Sequence, residues 1–247
     1  MIDVKWAGID FGQCMMDTRK MRTYLVIGDA CKQMGESDLI DVRIHKFRLL
    51  KEKYGSYSTV KRAHRDEIIS YVFDDRPDAR EVLSWVEQEH ICMANGLEDA
   101  LAYLCDQGIK LSVVSELKKT LGPMGTDVVS RFLERHNLTG YVRDVICPQG
   151  RFDVISGSVD LKYKGKTKEE GTIYDELARD LKNEGIAVSE AVMIGDTLWT
   201  DISPAKMRGF RTIQYTGYTD MGYCEDADFR ISDFRQLKKI VVKKAKE

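Results

Sequence analysis

The sequence predicts an α/β fold in which a parallel sheet lies between layers of helices and an all-helical block is inserted after the first strand. Three observations lead there. Short apolar runs at residues 4–9, 109–114 and 191–194 each close on a small or acidic residue, as the buried strands of a parallel sheet do. From residue 96 onward these runs alternate with stretches of helical period, the pattern of a sheet covered on both faces. Residues 18–92, by contrast, carry helical periodicity alone.

In order along the chain, the first strand rises through Trp6-Ala7-Gly8-Ile9 into a lone acid, Asp10, followed by the flexible Gly12. Residues 19–36, 38–54, 57–73 and 77–90 then read as helices, punctuated by Gly35, Gly55 and Pro77. Val60, His64, Ile68 and Tyr71 trace one apolar stripe, and Val82, Leu83, Val86 and Ile91 another. Residues 96–106 form a helix with Leu97, Leu101 and Leu104 inward, ended by Gly108. The strand at 109–114 closes on Ser115, and a helix runs over 127–136 with an earlier helical piece at 116–121. A short strand at 144–147, a hairpin at 154–164, a helix at 172–183 and the strand at 191–194, closing on Gly195-Asp196, come next. A further helix, strands at 211–215 and 229–231, and a basic helix from Asp233 complete the chain. The expected domains are therefore 1–17 with 93–247 as an α/β core, and 18–92 as an inserted helical block whose ends lie close together. A block inserted there is expected to lie over the carboxyl end of the first strand, as a lid.

Bulk properties narrow the function. The 247 residues suit one large domain or a core plus an insertion, and a hydrophobic share of 43% is enough for a packed interior. Lysine and arginine balance the acids to a net charge of −2, which is no nucleic-acid or membrane footprint, and no run approaches the ~20 apolar residues of a membrane span. The first residues lack the basic-then-apolar order of a signal peptide. Six cysteines with no Cys-x-x-Cys spacing imply reduced thiols in the cytoplasm, and four histidines with no His-x-x-x-His leave zinc unsupported.

Parallel strands bring their carboxyl ends to one edge, where open α/β sheets place their chemistry. The residues expected at that edge are Asp10, Ser115, Asp196 and Asp201, with Lys162, Lys164, Lys166 and Lys168 preceding the helix at 172. Asp10 can serve as a nucleophile, a metal ligand or a turn cap. A hydroxyl and a lysine can hold the oxygens of a transferred group, and acids after the last central strand can hold Mg²⁺. Each residue also has a structural reading: Asp196 and Asp201 as helix caps, Ser115 as an N-cap, the lysines as a solvated hairpin edge, Cys14 as an inert buried thiol, and Trp6 and Trp199 as packing.

The order of these residues resembles the haloacid dehalogenase (HAD) superfamily of hydrolases over nearly the whole chain. The strongest part is Met193-Ile194-Gly195-Asp196-Thr197-Leu198-Trp199-Thr200-Asp201-Ile202, followed by Ala205-Lys206 and Gly209-Phe210-Arg211-Thr212-Ile213, which looks like the family's fourth motif. The tail from Ala227 to Asp233 is similar to the usual family ending. The resemblance implies a three-layer Rossmann-like core with the helical block as its cap. It implies Asp10 as nucleophile, Ser115 and Lys168 as holders of the transferred group, and Mg²⁺ bound by Asp10, the Gly12 carbonyl, Asp196 and Asp201, acting on a phosphorylated or halogenated small molecule. Lys168 lies closest to the helix and is preferred as the motif lysine, with Lys164 and Lys166 as alternatives.

The first motif departs from the family. Its phosphatases carry Asp-x-Asp-x-Thr, where this chain has Asp10-Phe11-Gly12-Gln13-Cys14. The nucleophile remains, but the acid that protonates the leaving alcohol and then activates water is replaced by Gly12. Loss of such a group costs about 10²–10⁴ in rate. Three readings stay open: Mg²⁺-dependent phosphoryl or C–P hydrolysis of a substrate with a good leaving group, metal-free hydrolysis of a 2-halo acid, and a catalytically impaired binding or regulatory protein. The C–P route requires a cap lysine, with Lys46, Lys51, Lys53 and Lys61 as candidates.

Overall fold

The structure is a computed structural model that describes residues 1–56, 59–60, 63–116 and 127–242. The chain divides into two compact units, Met1–Asp17 with Met93–Glu247, and Thr18–Cys92.

The strands are β1 (Ile2–Asp3), β2 (Trp6–Ile9), β3 (Met16–Asp17), β4 (Cys92–Met93), β5 (Lys110–Val114), β6 (Asp144–Cys147), β7 (Gly150–Asp153), β8 (Val159–Asp160), β9 (Ala191–Gly195), β10 (Arg211–Tyr215), β11 (Phe229–Ile231) and β12 (Val241–Val242). Eight of them form the central sheet in the order β11-β10-β9-β2-β5-β6-β7-β8. From β11 to β6 every pairing is parallel, and β7 and β8 add an antiparallel hairpin at one edge. The expected parallel α/β sheet is thus present. The hairpin starts earlier than the sequence pattern placed it, at Gly150, because Asp144–Cys147 recruits its first arm as an antiparallel neighbour.

β2 and β9 lie side by side at the centre and are buried along their whole length, which is why both read as unbroken apolar runs. Gly8 has no alternative there: a Cβ on it would come 2.4 Å from the Trp6 ring. Successive strands run from β2 through β5 to β6 on one side, and from β9 through β10 to β11 on the other. The order reverses at β2, so the carboxyl ends of β2, β5 and β9 border a topological switch point. Helix Thr172–Asn183 packs Ile173, Tyr174, Leu177 and Leu181 onto Trp6, Val114, Met193 and Phe210 of the core. Helix Val128–Arg135 begins on Asp127, whose carboxylate accepts from the backbone of Val129 and Ser130.

Helices Thr23–Gln33, Ile40–Tyr54 and Ala79–Glu89 give the inserted unit its own core, in which Val26, Ile27, Phe47, Leu50, Leu83 and Val86 are buried. The stripe expected through Tyr71 is out of phase. Residues Ile68–Val72 form a π-type turn closed by Phe73 N–H to Ile68 C=O, which buries Val72 and Phe73 and leaves Tyr71 exposed. The helical piece expected at 116–121 falls, from residue 117 on, outside the described residues. The basic helix expected from Asp233 is instead a 3-10 helix, Phe234–Lys239, followed by β12, which pairs with β1. No helix among the described residues is long and apolar enough to cross a membrane.

Glu184, at the end of helix Thr172–Asn183, ties the sheet to that helix by accepting from Lys110 Nζ at 2.7 Å and Arg143 Nη1 at 2.8 Å. Burial would raise its carboxyl, but the bonds from Arg143 and Lys110 prevail and hold it at about 2, below its ordinary 4.5. A depressed carboxylate stabilises the fold fully above its unfolded pKa and loses that contribution as pH falls through the folded value. Urea titrations should therefore show wild-type stability declining from about pH 4.5 towards pH 2. Glu184→Gln should be ~0.5–1 kcal/mol less stable at pH 7, given solvent screening, and should decline less steeply across that window.

Candidate active site

The site is assembled from strand ends. Asp10 directly follows β2, and its backbone N–H donates to Ile194 C=O at 2.8 Å, carrying the ladder with β9 one residue further. The chain then turns tightly through Phe11–Met15, closed by Met15 N–H to Asp10 C=O, with Gln13 at φ 59° in the left-handed region. Phe11, Cys14 and Met15 are buried beneath the turn, and Phe11 meets Phe132 edge-to-face at 5.2 Å. The turn therefore anchors Asp10 through its backbone.

On the neighbouring strand, Ser115 follows β5, is 1% exposed, and donates its N–H to Ile146 C=O. After β9 comes Asp196, and Asp201 lies within the π-type turn Leu198–Ile202 that follows. Thr197 N–H donates to Asp201 Oδ2 at 3.0 Å, and Asp201 N–H returns a bond to Thr197 C=O at 2.8 Å. Gly195 permits this fold-back, since a Cβ there would lie 2.4 Å from the Asp201 side chain.

Lys168 closes the site from the loop before helix Thr172–Asn183. It is 1% exposed, and its ammonium donates to Asp10 Oδ1, to Asp201 Oδ1 and, at 3.3 Å, to Val114 C=O. Its backbone N–H donates to Glu116 Oε2 at 2.6 Å. Tyr174 O–H donates to Thr200 C=O at 2.7 Å, tying the helix to the turn that carries Asp201. The other lysines of the run lie elsewhere: Lys162 pairs with Asp180, Lys166 with Glu176 at 3.2 Å, and Lys164 is exposed.

Carboxylate oxygens of Asp10, Asp196 and Asp201 lie within 4.8 Å of one another, all buried. Burial is the main cause of a rise in the Asp10 carboxyl to about 8; Lys168 opposes it, and Asp201 reinforces it. Burial, with Asp201 adding to it, brings Asp196 to about 6. Burial alone would push the Lys168 ammonium down, but Asp10 and Asp201 outweigh it and hold it protonated well above its usual range. Three carboxylates against one ammonium leave a deficit of two positive charges when all are ionised, and the donors are oxygens, the set that suits Mg²⁺. Gly12 borders this cluster in open space: a Cβ on it would meet only Asp10 Oδ2, at 3.9 Å.

Other sequence readings resolve on burial and contacts. Burial and the three nearby acids push the Cys14 thiol well above its usual range, and its Sγ lies 3.9 Å from Ile194 C=O. A protonated thiol is no nucleophile. Trp6 is buried against Phe210, whereas Trp199, expected as packing, is 58% exposed because the π-type turn presents it outward. In the inserted unit Lys46 pairs with Asp74, Lys53 pairs with Glu67 and Lys51 is exposed; Lys61 lies outside the described residues. Glu116 was not anticipated. Its only sequence signal is that it follows Ser115, and nothing local links position 116 to position 168.

Residues 167–235 match the family described as HAD-hydrolase-like. No curated protein matches the sequence. Among solved structures, the chain is similar to a HAD phosphatase from Thermococcus onnurineus, with TM-score 0.55 and 21% identity over 96% of this chain and 97% of that one. It is similar to the HAD-hydrolase YfnB from Bacillus subtilis, described as bound to magnesium, with TM-score 0.53 and 13% identity over 96% and 98%. It is also similar to a 2-haloacid dehalogenase from Pseudomonas syringae, with TM-score 0.50 and 18% identity over 97% and 98%. The chain has the fold of the HAD-like hydrolases, and its residues 167–235 carry that superfamily's sequence.

Proposed function

We propose that the protein is a Mg²⁺-dependent hydrolase of small phosphorylated molecules that works through covalent catalysis by Asp10. The observation that carries this reading is the buried Asp10, Asp196 and Asp201 cluster around the Lys168 ammonium. In this reading Asp10, the Gly12 carbonyl, Asp196 and Asp201 hold the cation, which supplies neutralising charge for Asp10 and for the oxygens of the transferred group. Asp10 attacks phosphorus through a carboxylate oxygen, and the leaving group departs with its bonding electrons. Lys168 and Ser115 hold the phosphoryl oxygens as charge develops on them. The inserted unit, residues 18–92, is the cap. The scattered cysteines, none in Cys-x-x-Cys spacing, are the ground for proposing a cytoplasmic location.

Gly12 selects the substrate. With no carboxylic acid at that position to protonate a departing alkoxide, the reading favours substrates whose leaving group is already a stable anion. The same absence favours a second reading, metal-free release of halide from a 2-halo acid. The acid cluster weighs against it, because three buried carboxylates facing one lysine want a cation.

Aryl or acyl phosphates should be turned over with Mg²⁺, and activity should vanish in Asp10→Asn and with a chelator; chelator-resistant release of halide would establish the second reading instead. Gly12→Asp has room for its Cβ and should speed alkyl phosphate hydrolysis by about 10²-fold, read as kcat/KM on matched alkyl and aryl monoesters. Cation binding requires ionised carboxylates, which the free protein holds protonated up to about 6 at Asp196 and about 8 at Asp10. Metal binding should thus release protons, and the Mg²⁺-induced rise in Tm should grow from pH 6 to pH 8.

A further inference from the structure

Hydrolysis through Asp10 has two halves, and a good leaving group relieves only the first. The second half, attack of water on the phosphoryl-Asp10 intermediate, still calls for a base that Gly12 cannot provide. A carboxylate lies just beyond the carboxyl end of the adjacent strand β5. β2 and β5 pair in parallel as far as Ile9 opposite Val113; Gly12 lies beyond β2 in the Phe11–Met15 turn, and Glu116 lies beyond β5, next to Ser115. Glu116 is half-buried, and its carboxylate is held at the site because Oε2 accepts the N–H of Lys168 at 2.6 Å, while the Lys168 ammonium bonds Asp10. The space at Gly12, where a Cβ would meet only Asp10 Oδ2 at 3.9 Å, leaves room for the water.

We propose that Glu116 is the general base of the second half-reaction, an assignment that rests on the Asp10 reading above. Glu116 takes one proton from water as the water oxygen bonds to phosphorus. The bond from phosphorus to the Asp10 oxygen breaks, and its electron pair restores the Asp10 carboxylate. Inorganic phosphate leaves, and Glu116 returns its proton to solvent. This division explains how a chain can lack the acid of the first step and still turn over: leaving-group departure needs no proton, and the base comes from the segment that follows β5.

The test is rapid-quench kinetics on the full chain with Mg²⁺ and p-nitrophenyl phosphate, comparing wild type, Glu116→Gln and Glu116→Ala. Glutamine keeps an oxygen to accept the Lys168 N–H but is no base. The expected result for Glu116→Gln is a stoichiometric burst of nitrophenolate at the wild-type rate, then steady turnover slowed by about 10²–10³-fold, with hydroxylamine-labile phosphate accumulating on Asp10. Turnover close to wild type in Glu116→Gln, with loss only in Glu116→Ala, would reduce Glu116 to a positioning residue and overturn the proposal. A burst slowed as much as the steady state would overturn it too. An unchanged Mg²⁺-induced thermal shift verifies that the variants fold with the site intact. If the wild type itself forms no phosphoryl-enzyme and releases no nitrophenolate, the Asp10 reading falls first, an outcome distinct from either failure of Glu116.

Discussion

The site depends on one constraint: three carboxylates and one ammonium are concentrated where little water remains to solvate them. Parallel pairing of β2 with both β5 and β9 makes this unavoidable, because it brings three strand ends to a single edge. Glycines permit the close approach, Gly8 beneath the Trp6 ring and Gly195 beneath Asp201. Burial then drives Asp10 and Asp196 upward, and Lys168 offsets only part of the charge. That imbalance of buried charge is what the proposed cation site rests on.

The scaffold around this cluster supplies placement rather than chemistry. The Phe11–Met15 turn anchors Asp10 through its backbone and buries Cys14, which removes the thiol from contention. Tyr174 binds the turn that carries Asp201 to helix Thr172–Asn183, the same helix that Lys168 precedes, so the charged groups on the two loops share one support. The open space at Gly12 contrasts with the packing at Gly8 and Gly195: those glycines are required by crowding, whereas nothing crowds Gly12. Packing therefore does not require a glycine at position 12.

Residues Thr18–Cys92 form a second unit with its own interior, as an insertion between adjacent chain ends can. Its sequence pattern was readable where helices are regular and misleading where they are not. The stripe through Tyr71 assumed a constant 3.6-residue period, and one π-type turn moved burial to Val72 and Phe73. The same limitation applies to Trp199, exposed by another such turn.

The sequence by itself determined the architecture of the core and the acids at its edge. Apolar strands, helical periods and terminal acids are local patterns, and parallel pairing turns them into a shared edge with few alternatives. Thus Asp10, Ser115, Asp196 and Asp201 could be placed before any coordinates. The contacts of Lys168, among four similar lysines, depend on how one loop folds back over β2 and β5, and periodicity carries no record of that. The same holds for Glu116 and Lys168, 52 residues apart in sequence and joined by one hydrogen bond. Only the tertiary structure decided these contacts, because they form between segments whose separate sequences contain nothing about their meeting.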